Sequence, residues 1–297
     1  MNAPIVIFAF NRPDALKACV ASLLTNAEAK DSDLIVFVDG PRADHEGEAQ
    51  IVDAVRSLAG NISGFHSLET HFSKYNMGLG PSVISGVSNV IERYGRVIVI
   101  EDDLVLSRNF LAFMNKGLDF YEQREKVFSI CGYSNKITPS RDYKFDAYFC
   151  PRSSSTGWAT WKDRWESCDW ELKDWTLVKQ NARAFNRWGG SDCFGMLQNW
   201  KVGRNQSWAI RFCYNEFIQN KLSVFSVISH VRNIGFDGKG TNSQKWSRFK
   251  YEFDESESKE FVWPDNVASD KKIRRQALSY HSILARAYSR LMYLIHR

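Results

Sequence analysis

The stretch Val97-Ile98-Val99-Ile100-Glu101-Asp102-Asp103-Leu104 decides the fold, because four β-branched apolar residues run without a break into three carboxylates. An apolar run with no polar alternation is the pattern of a parallel strand covered on both faces. In open α/β sheets ligands bind outside the carboxyl ends of such strands. Three acids gathered there repel one another unless a cation or hydrogen-bond donors offset their charge. The stretch therefore reads in two ways. It is a divalent-metal and nucleotide site, or it is an acidic helix start in which Asp102 or Asp103 caps the segment from Leu104 onward.

Upstream segments repeat the theme. Ile5 to Phe10 and Leu34 to Val38 are apolar runs that end in Asn11-Arg12-Pro13-Asp14 and in Asp39-Gly40-Pro41-Arg42. A helical stripe follows each: Leu16, Val20, Leu23 and Leu24, with Pro13 suited to a first turn, and then Ile51, Val52, Val55 and Leu58. Gly64 to Phe72 reads as a short extended segment. Alternating strands and helices predict an α/β fold with a parallel sheet and right-handed crossovers. Tyr75-Asn76-Met77-Gly78-Leu79-Gly80-Pro81 opens a helix marked by Val83, Val87, Val90 and Ile91. Its glycines let backbone approach a ligand, or simply turn the chain into the helix. The match to G-x-G-x-x-G is incomplete and does not follow the first strand, which excludes a Rossmann dehydrogenase.

Downstream, Ser107 to Tyr121 carries a helical apolar face, Val127 to Cys131 reads as a strand, and Asn135 to Tyr148 reads as a polar surface connection. Ser153-Ser154-Ser155-Thr156-Gly157-Trp158 opens a tryptophan-rich half, with a helix expected through Trp165, Trp170 and Trp175. Its indoles suit either sugar stacking or a bulky core. Trp208 to Lys221 reads as a helix and Val224 to Ser229 as a strand. The stretch Asn233 to Asn242, with Gly235, Gly238 and Gly240, reads as a substrate lid or a plain turn. No repeat or linker divides the chain. Residues 1–134 read as the nucleotide-binding half of a single domain, 135–250 as the acceptor-binding half, and 251–297 as an extension.

The 297 residues are 44% hydrophobic and 25% charged, enough for a full core in an ordinary globular chain. Six scattered cysteines without a C-x-x-C pair point to reduced, mostly buried thiols and a cytoplasmic setting. The first apolar run lacks a basic region before it, so it reads as a strand and not a signal peptide. No run approaches the roughly 18 apolar residues that span a bilayer. The net charge of +5 is unevenly placed, since every charged residue after Asp270 is basic. Ile273, Ala277, Tyr280, Leu284, Ala287, Leu291 and Ile295 recur at helical spacing among Lys271, Lys272, Arg274, Arg275, Arg286, Arg290 and Arg297. This is a basic amphipathic helix. It lies on an anionic membrane, on the inner face of the cytoplasmic membrane, or it packs on the domain. The basic residues form no recognised motif, so nucleic acid is not an expected partner.

Taken in order, Ala9-Phe10-Asn11-Arg12, Val38-Asp39-Gly40, Gly78-Leu79-Gly80, Val99-Ile100-Glu101-Asp102-Asp103-Leu104, Thr156-Gly157-Trp158, Ser207-Trp208 and Phe236-Asp237-Gly238-Lys239-Gly240 resemble nucleotide-sugar glycosyltransferases of the GT-A fold. The resemblance is to N-acetylglucosaminyltransferase I and bacterial family 2 enzymes, and covers roughly residues 4 to 245. The acidic strand end is its most specific part, a variant of the DxD motif. The resemblance implies a mostly parallel central sheet flanked by helices, with a Rossmann-like nucleotide half. It places Arg12, Asp39, Gly80, Glu101, Asp102, Trp158 and Asp237 at the nucleotide sugar, and makes Asp103 the direct ligand of Mn2+ or Mg2+. It also implies inverting transfer from a nucleoside diphosphate sugar, a UDP-sugar foremost, to a hydroxyl of a glycan or lipid-linked glycan acceptor in bacterial surface polysaccharide synthesis. A hexosyl- or N-acetylhexosaminyltransferase is expected.

The chain departs from the pattern where a pair of aspartates precedes the tryptophan matched by Trp208. Gln206 and Ser207 stand there, and neither is a general base at neutral pH. Asp192 and then Glu216 are the remaining base candidates, each with capping or ion pairing as its alternative role. Two other readings stand beside the transferase. One is a sugar-phosphate nucleotidyltransferase, which would need an N-terminal Gly-rich phosphate loop that Phe10-Asn11-Arg12-Pro13 lacks. The other is a catalytically weak descendant that binds glycan or nucleotide sugar.

Overall fold

The computed structural model describes residues 2–235 and 248–295. Four strands, β1 (Ile5–Ala9), β2 (Asp33–Val38), β3 (Ser67–Phe72) and β4 (Arg96–Glu101), pair in parallel in the order β3-β2-β1-β4. Helices Pro13–Leu23, Glu48–Gly60 and Leu79–Tyr94 connect them. Six more strands follow: β5 (Leu104–Leu106), β6 (Val127–Cys131), β7 (Ala147–Cys150), β8 (Trp158–Trp161), β9 (Leu222–Ser226) and β10 (Val231–Asn233). The sheet continues from β4 through β8, β6 and β9 to β7, with β8 and β7 running against the other six strands. β5 and β10 form a separate antiparallel pair. This is the mostly parallel α/β sheet, flanked by helices, that the sequence predicts.

The uninterrupted apolar character of β1 and β4 has a two-sided cause. Ile5, Ile7, Ile98 and Ile100 face one core with Leu16, Val52, Leu111 and Phe113. Val6, Phe8, Val97 and Val99 face the other with Val83, Val87, Trp158 and Trp208. Each such side chain, when fully buried, contributes about 1.5–3 kcal/mol over exposure. Both faces of the strand are therefore covered by apolar contacts, and the first polar side chain appears where the sheet ends.

Three elements differ from the sequence reading. The polar connection from Asn135 contains β7, whose Ala147, Tyr148, Phe149 and Cys150 are all buried. The tryptophan segment is not one helix but β8 and two short helices, Lys162–Glu166 and Trp175–Gln180, separated by turns that include Leu172 at φ 46°. The basic tail is likewise two helices. Lys271–Ser279 is capped by Asp270, which accepts from Ile273 N–H at 2.8 Å, and buries Ile273 and Ala277 beside Tyr148 and Phe225. Ile283–Ile295 instead leaves Ile283, Leu284, Tyr288 and Leu291 exposed. The expected apolar stripe is thus split, its first half docked on the domain and its second half bare. Among the described residues, no helix is long and apolar enough to cross a membrane.

Candidate functional site

At the carboxyl end of β4 the chain turns through Asp102 and Asp103 and enters β5. Neither acid caps a helix; the next helix begins at Phe110. The loop after β1 closes on them: Phe10 N–H donates to Asp102 Oδ2 at 3.3 Å, and Arg12 Nη2 donates to Asp102 Oδ1 and Asp103 Oδ2, both at 2.9 Å. From the other side β10 sets Asn233 opposite Leu104, and Ile234 N–H donates to the Asp103 carbonyl at 2.9 Å. Gly235 then lies against the carboxylate. A Cβ there would overlap Asp103 Oδ2 and come within 3.1 Å of Arg12 Nη1, so a larger residue would push the carboxylate from its place. Positions 236–247, with Asp237 and the rest of the glycine-rich stretch, lie outside the described residues.

One guanidinium faces three carboxyl groups here. Burial, then the charges of Asp103 and Asp102, push Glu101 up to about 8 despite Arg12. Burial also raises Asp102 to about 6, with Arg12 opposing. Asp103 Oδ1 is buried and has no hydrogen-bond partner. A buried carboxylate oxygen left bare beside other acids fits a hard cation. Among the described residues no group of three or more ligating side chains surrounds such a position. The donor set therefore fits an ion that takes Asp103 from the protein and its remaining oxygens from phosphate and water, as Mg2+-type sites do.

Asp39, which the resemblance places at the nucleotide, accepts from three backbone donors. Its Oδ1 accepts from Gly40 and Met77 N–H, both at 2.8 Å, and its Oδ2 from Gly78 N–H at 2.9 Å. It clasps the end of β2 to the turn before helix Leu79–Tyr94. A Cβ at Gly80 would run into the Gln206 carbonyl oxygen, so that glycine admits the Gln206-Ser207 segment to the site's edge. Ser207 Oγ accepts from Ile210 N–H and caps helix Trp208–Ile218. Trp158 is 1% exposed, with its ring 4.8 Å from Trp208 and 5.7 Å from Trp165. It belongs to the core and offers no face to a sugar. Sequence reasoning missed Glu48, which accepts from Asn11 Nδ2 at 2.9 Å and pairs with Arg42, whose hydrogen bonds hold it at about 2. Through Asn11 it steadies the loop that carries Arg12.

Neither base candidate is a free carboxylate, since both oxygens of each already accept hydrogen bonds. Glu216 is fully buried, accepting from Ser153 N–H at 2.9 Å and Ser223 Oγ at 2.8 Å, and burial pushes it up to about 8 against those bonds. Burial thus favours its protonated form and seals it from any acceptor. Asp192 is bound at both oxygens by Arg152, at 2.7 and 3.0 Å. Burial raises it, but the hydrogen bonds and charge of Arg152 prevail and hold it at about 2. Such an ion-paired carboxylate is a weak proton acceptor. Folding raises Glu216 from an ordinary value of 4.5, so the folded chain keeps a proton that the unfolded chain has lost, and stability falls as pH climbs from 4.5 toward 8. Glu216→Gln removes this term. Urea denaturation at the two ends of that range is expected to show a smaller stability difference for the variant than for the parent, and an equal difference would contradict the buried-acid assignment.

Beside this corner lies a cleft of about 330 Å3, lined by Tyr133, Ser155, Thr156, Ser207, Asn233, Arg152 and His281, among others. Among the described residues, no aspartate or glutamate lines it. Asn233 and Ser207 join it to the acidic corner and to the glycine turn. Arg152 and His281 had no sequence signal, since one follows a strand in an unremarkable loop and the other sits in the basic tail.

No family profile and no curated protein matches the sequence. Among solved structures, GalNAc-T7 with UDP, GalNAc and Mn2+ is 13% identical over 83% of this chain and 46% of that chain, with a TM-score of 0.50. TarS 1–349 from S. aureus is 11% identical over 79% and 61%, with a TM-score of 0.40. Mannosyltransferase PcManGT from Pyrobaculum calidifontis, in complex with GDP-Man and Mn2+, is 13% identical over 55% and 46%, with a TM-score of 0.39. The chain spans less than two thirds of the length of each. At these identities the likeness is one of fold, carried by GalNAc-T7, and that fold is GT-A.

Proposed function

We propose that the chain is a metal-dependent glycosyltransferase that moves a sugar from a nucleoside diphosphate donor, a UDP-sugar foremost, to a hydroxyl of a glycan acceptor. The observation that carries this reading is the bare, buried Asp103 Oδ1 at the carboxyl end of β4 in a GT-A sheet. Mn2+ or Mg2+ held by Asp103 would supply positive charge to the departing diphosphate. Arg12 orients Asp103 by its hydrogen bond and presents positive charge to the same group. Asp102 and Glu101 face the nucleoside, and the cleft holds the acceptor. Inversion, a hexosyl or N-acetylhexosaminyl donor, and a role in bacterial surface polysaccharide synthesis complete the reading. A thermal-shift screen of UDP-, GDP- and CMP-sugars with and without Mn2+ tests it. A shift that requires both donor and metal is expected, and no such shift with any donor rejects the reading.

A second reading is favoured by one observation: among the described residues, the cleft has no lining carboxylate. A descendant that binds nucleotide sugar without turnover would give the metal-dependent shift and release no nucleoside diphosphate over time.

The bare face of helix Ile283–Ile295 supports a peripheral position on an anionic membrane. Ile283 and Leu284 are 71% and 82% exposed, and Arg290 lies in the same helix. Leu284→Glu is expected to lower co-sedimentation with anionic vesicles by roughly tenfold, since inserting one leucine is worth about 1.5–3 kcal/mol. Unchanged binding would instead assign that face to another protein surface.

A further inference from the structure

Among the described residues, arginines outnumber carboxylates at the inner end of the cleft. Arg152 lines it, and three more arginines stand close behind: Arg248 Nε donates to Tyr280 O at 2.8 Å, Arg286 Nη1 to Ser191 Oγ at 3.2 Å, and Arg274 Nη2 to Trp188 O at 3.5 Å. Both oxygens of Asp192 are taken by Arg152, so this carboxylate is not shared with Arg274 or Arg286. Glu216, under Ser153, is fully buried, and burial disfavours its charged form. His281 sits at the centre of this group. Its backbone carbonyl accepts from Ser191 Oγ at 2.8 Å, its ring lies 5.6 Å from Phe249, and its Nδ1 is buried without a hydrogen-bond partner. Burial, then the charges of Arg152, Arg248 and Arg286, drive its pKa down to about 3 despite Asp192.

A buried imidazole nitrogen left unpaired costs about 1–3 kcal/mol. In its Nδ1–H tautomer the imidazole finds its acceptor in an oxyanion, whose charge the neighbouring arginines also favour. We infer that the cleft selects a phosphate-bearing acceptor, with His281 and the hydroxyls of Ser155 and Thr156 as hydrogen-bonding partners of the phosphate. The inference rests on the glycosyltransferase reading for the word acceptor, and on the cleft alone for the phosphate. A phosphate within the glycan and the diphosphate of a lipid carrier share this chemistry.

The test follows isotope-labelled histidine rings by NMR in the full chain, without donor or metal, during titration with glucose 1-phosphate or with a prenyl diphosphate. Glucose is the uncharged control. His281→Gln assigns the resonance, and Ser155→Ala, which leaves the buried ring in place, is expected to weaken phosphate binding about tenfold. Saturable movement of the His281 signal by either phosphate and not by glucose is the expected result, and the arm with the lower Kd identifies the source of the phosphate. No movement with either phosphate, or equal movement with glucose, overturns the inference. Because donor and metal are absent, a negative thermal-shift screen would reject the transferase reading separately and leave this result readable.

Discussion

Asp103→Asn is expected to abolish the metal-dependent thermal shift and to lower turnover by at least about a thousandfold, because it removes the charge that would hold the cation while keeping the shape of the side chain. The fold is expected to survive. Asn retains an oxygen for Arg12 Nη2, now at 2.9 Å from Asp103 Oδ2, and the loss of one negative charge relieves the repulsion on its neighbours. Glu101, raised to about 8 in part by Asp103, is then expected to titrate lower. The informative measurement is the melting temperature with donor, with and without Mn2+, alongside the melting temperature of the free variant. A variant that keeps the Mn2+-dependent shift would remove Asp103 from the metal site. A variant that melts far below the parent in the absence of ligand would make the aspartate structural.

Asp192→Asn is expected to act in the opposite way, costing about 3–5 kcal/mol of stability and leaving turnover per folded molecule at saturating acceptor unchanged. Arg152 is held by that carboxylate at 2.7 and 3.0 Å, and its side chain is 14% exposed. It also adopts φ 70°, a conformation that a non-glycine residue keeps only when its surroundings compensate. Neutralising Asp192 strands the guanidinium in a buried position beside Arg286 and His281. Urea denaturation reads the loss of stability, and product formation below the transition reads the activity. Loss of turnover in a variant of unchanged stability would restore Asp192 as the base.

The acidic strand end is legible in the sequence because its signal is local. Four residues that must be apolar on both faces, followed by residues that cannot be buried without compensation, define both a central strand and its ligand-binding end. The same holds for Pro13 at a helix start and for Asp39 at the end of β2, although the role of Asp39 is not. Its three backbone donors come from Gly40 and from Met77 and Gly78, a turn almost forty residues downstream, and no pattern within either segment reveals the clasp. Trp158 is ambiguous for a related reason. An indole's composition suits a sugar or a core equally, and only its packing against Trp165 and Trp208 chooses the core.

What the sequence determined by itself was the order of strands and helices around Val97–Leu104 and the crowding of three acids at that strand's end, since both follow from periodicity and from the identity of adjacent residues. Tertiary structure alone decided what each charged group does. Arg12 reaches Asp102 across 90 positions of sequence, Arg152 reaches Asp192 across 40, and Ser153 donates to Glu216 across 63. Burial and these through-space partners set whether a carboxyl is ionised, bare or sealed. They occupy both oxygens of Asp192 and Glu216, leave Asp103 Oδ1 open, and gather arginines from separate segments around His281.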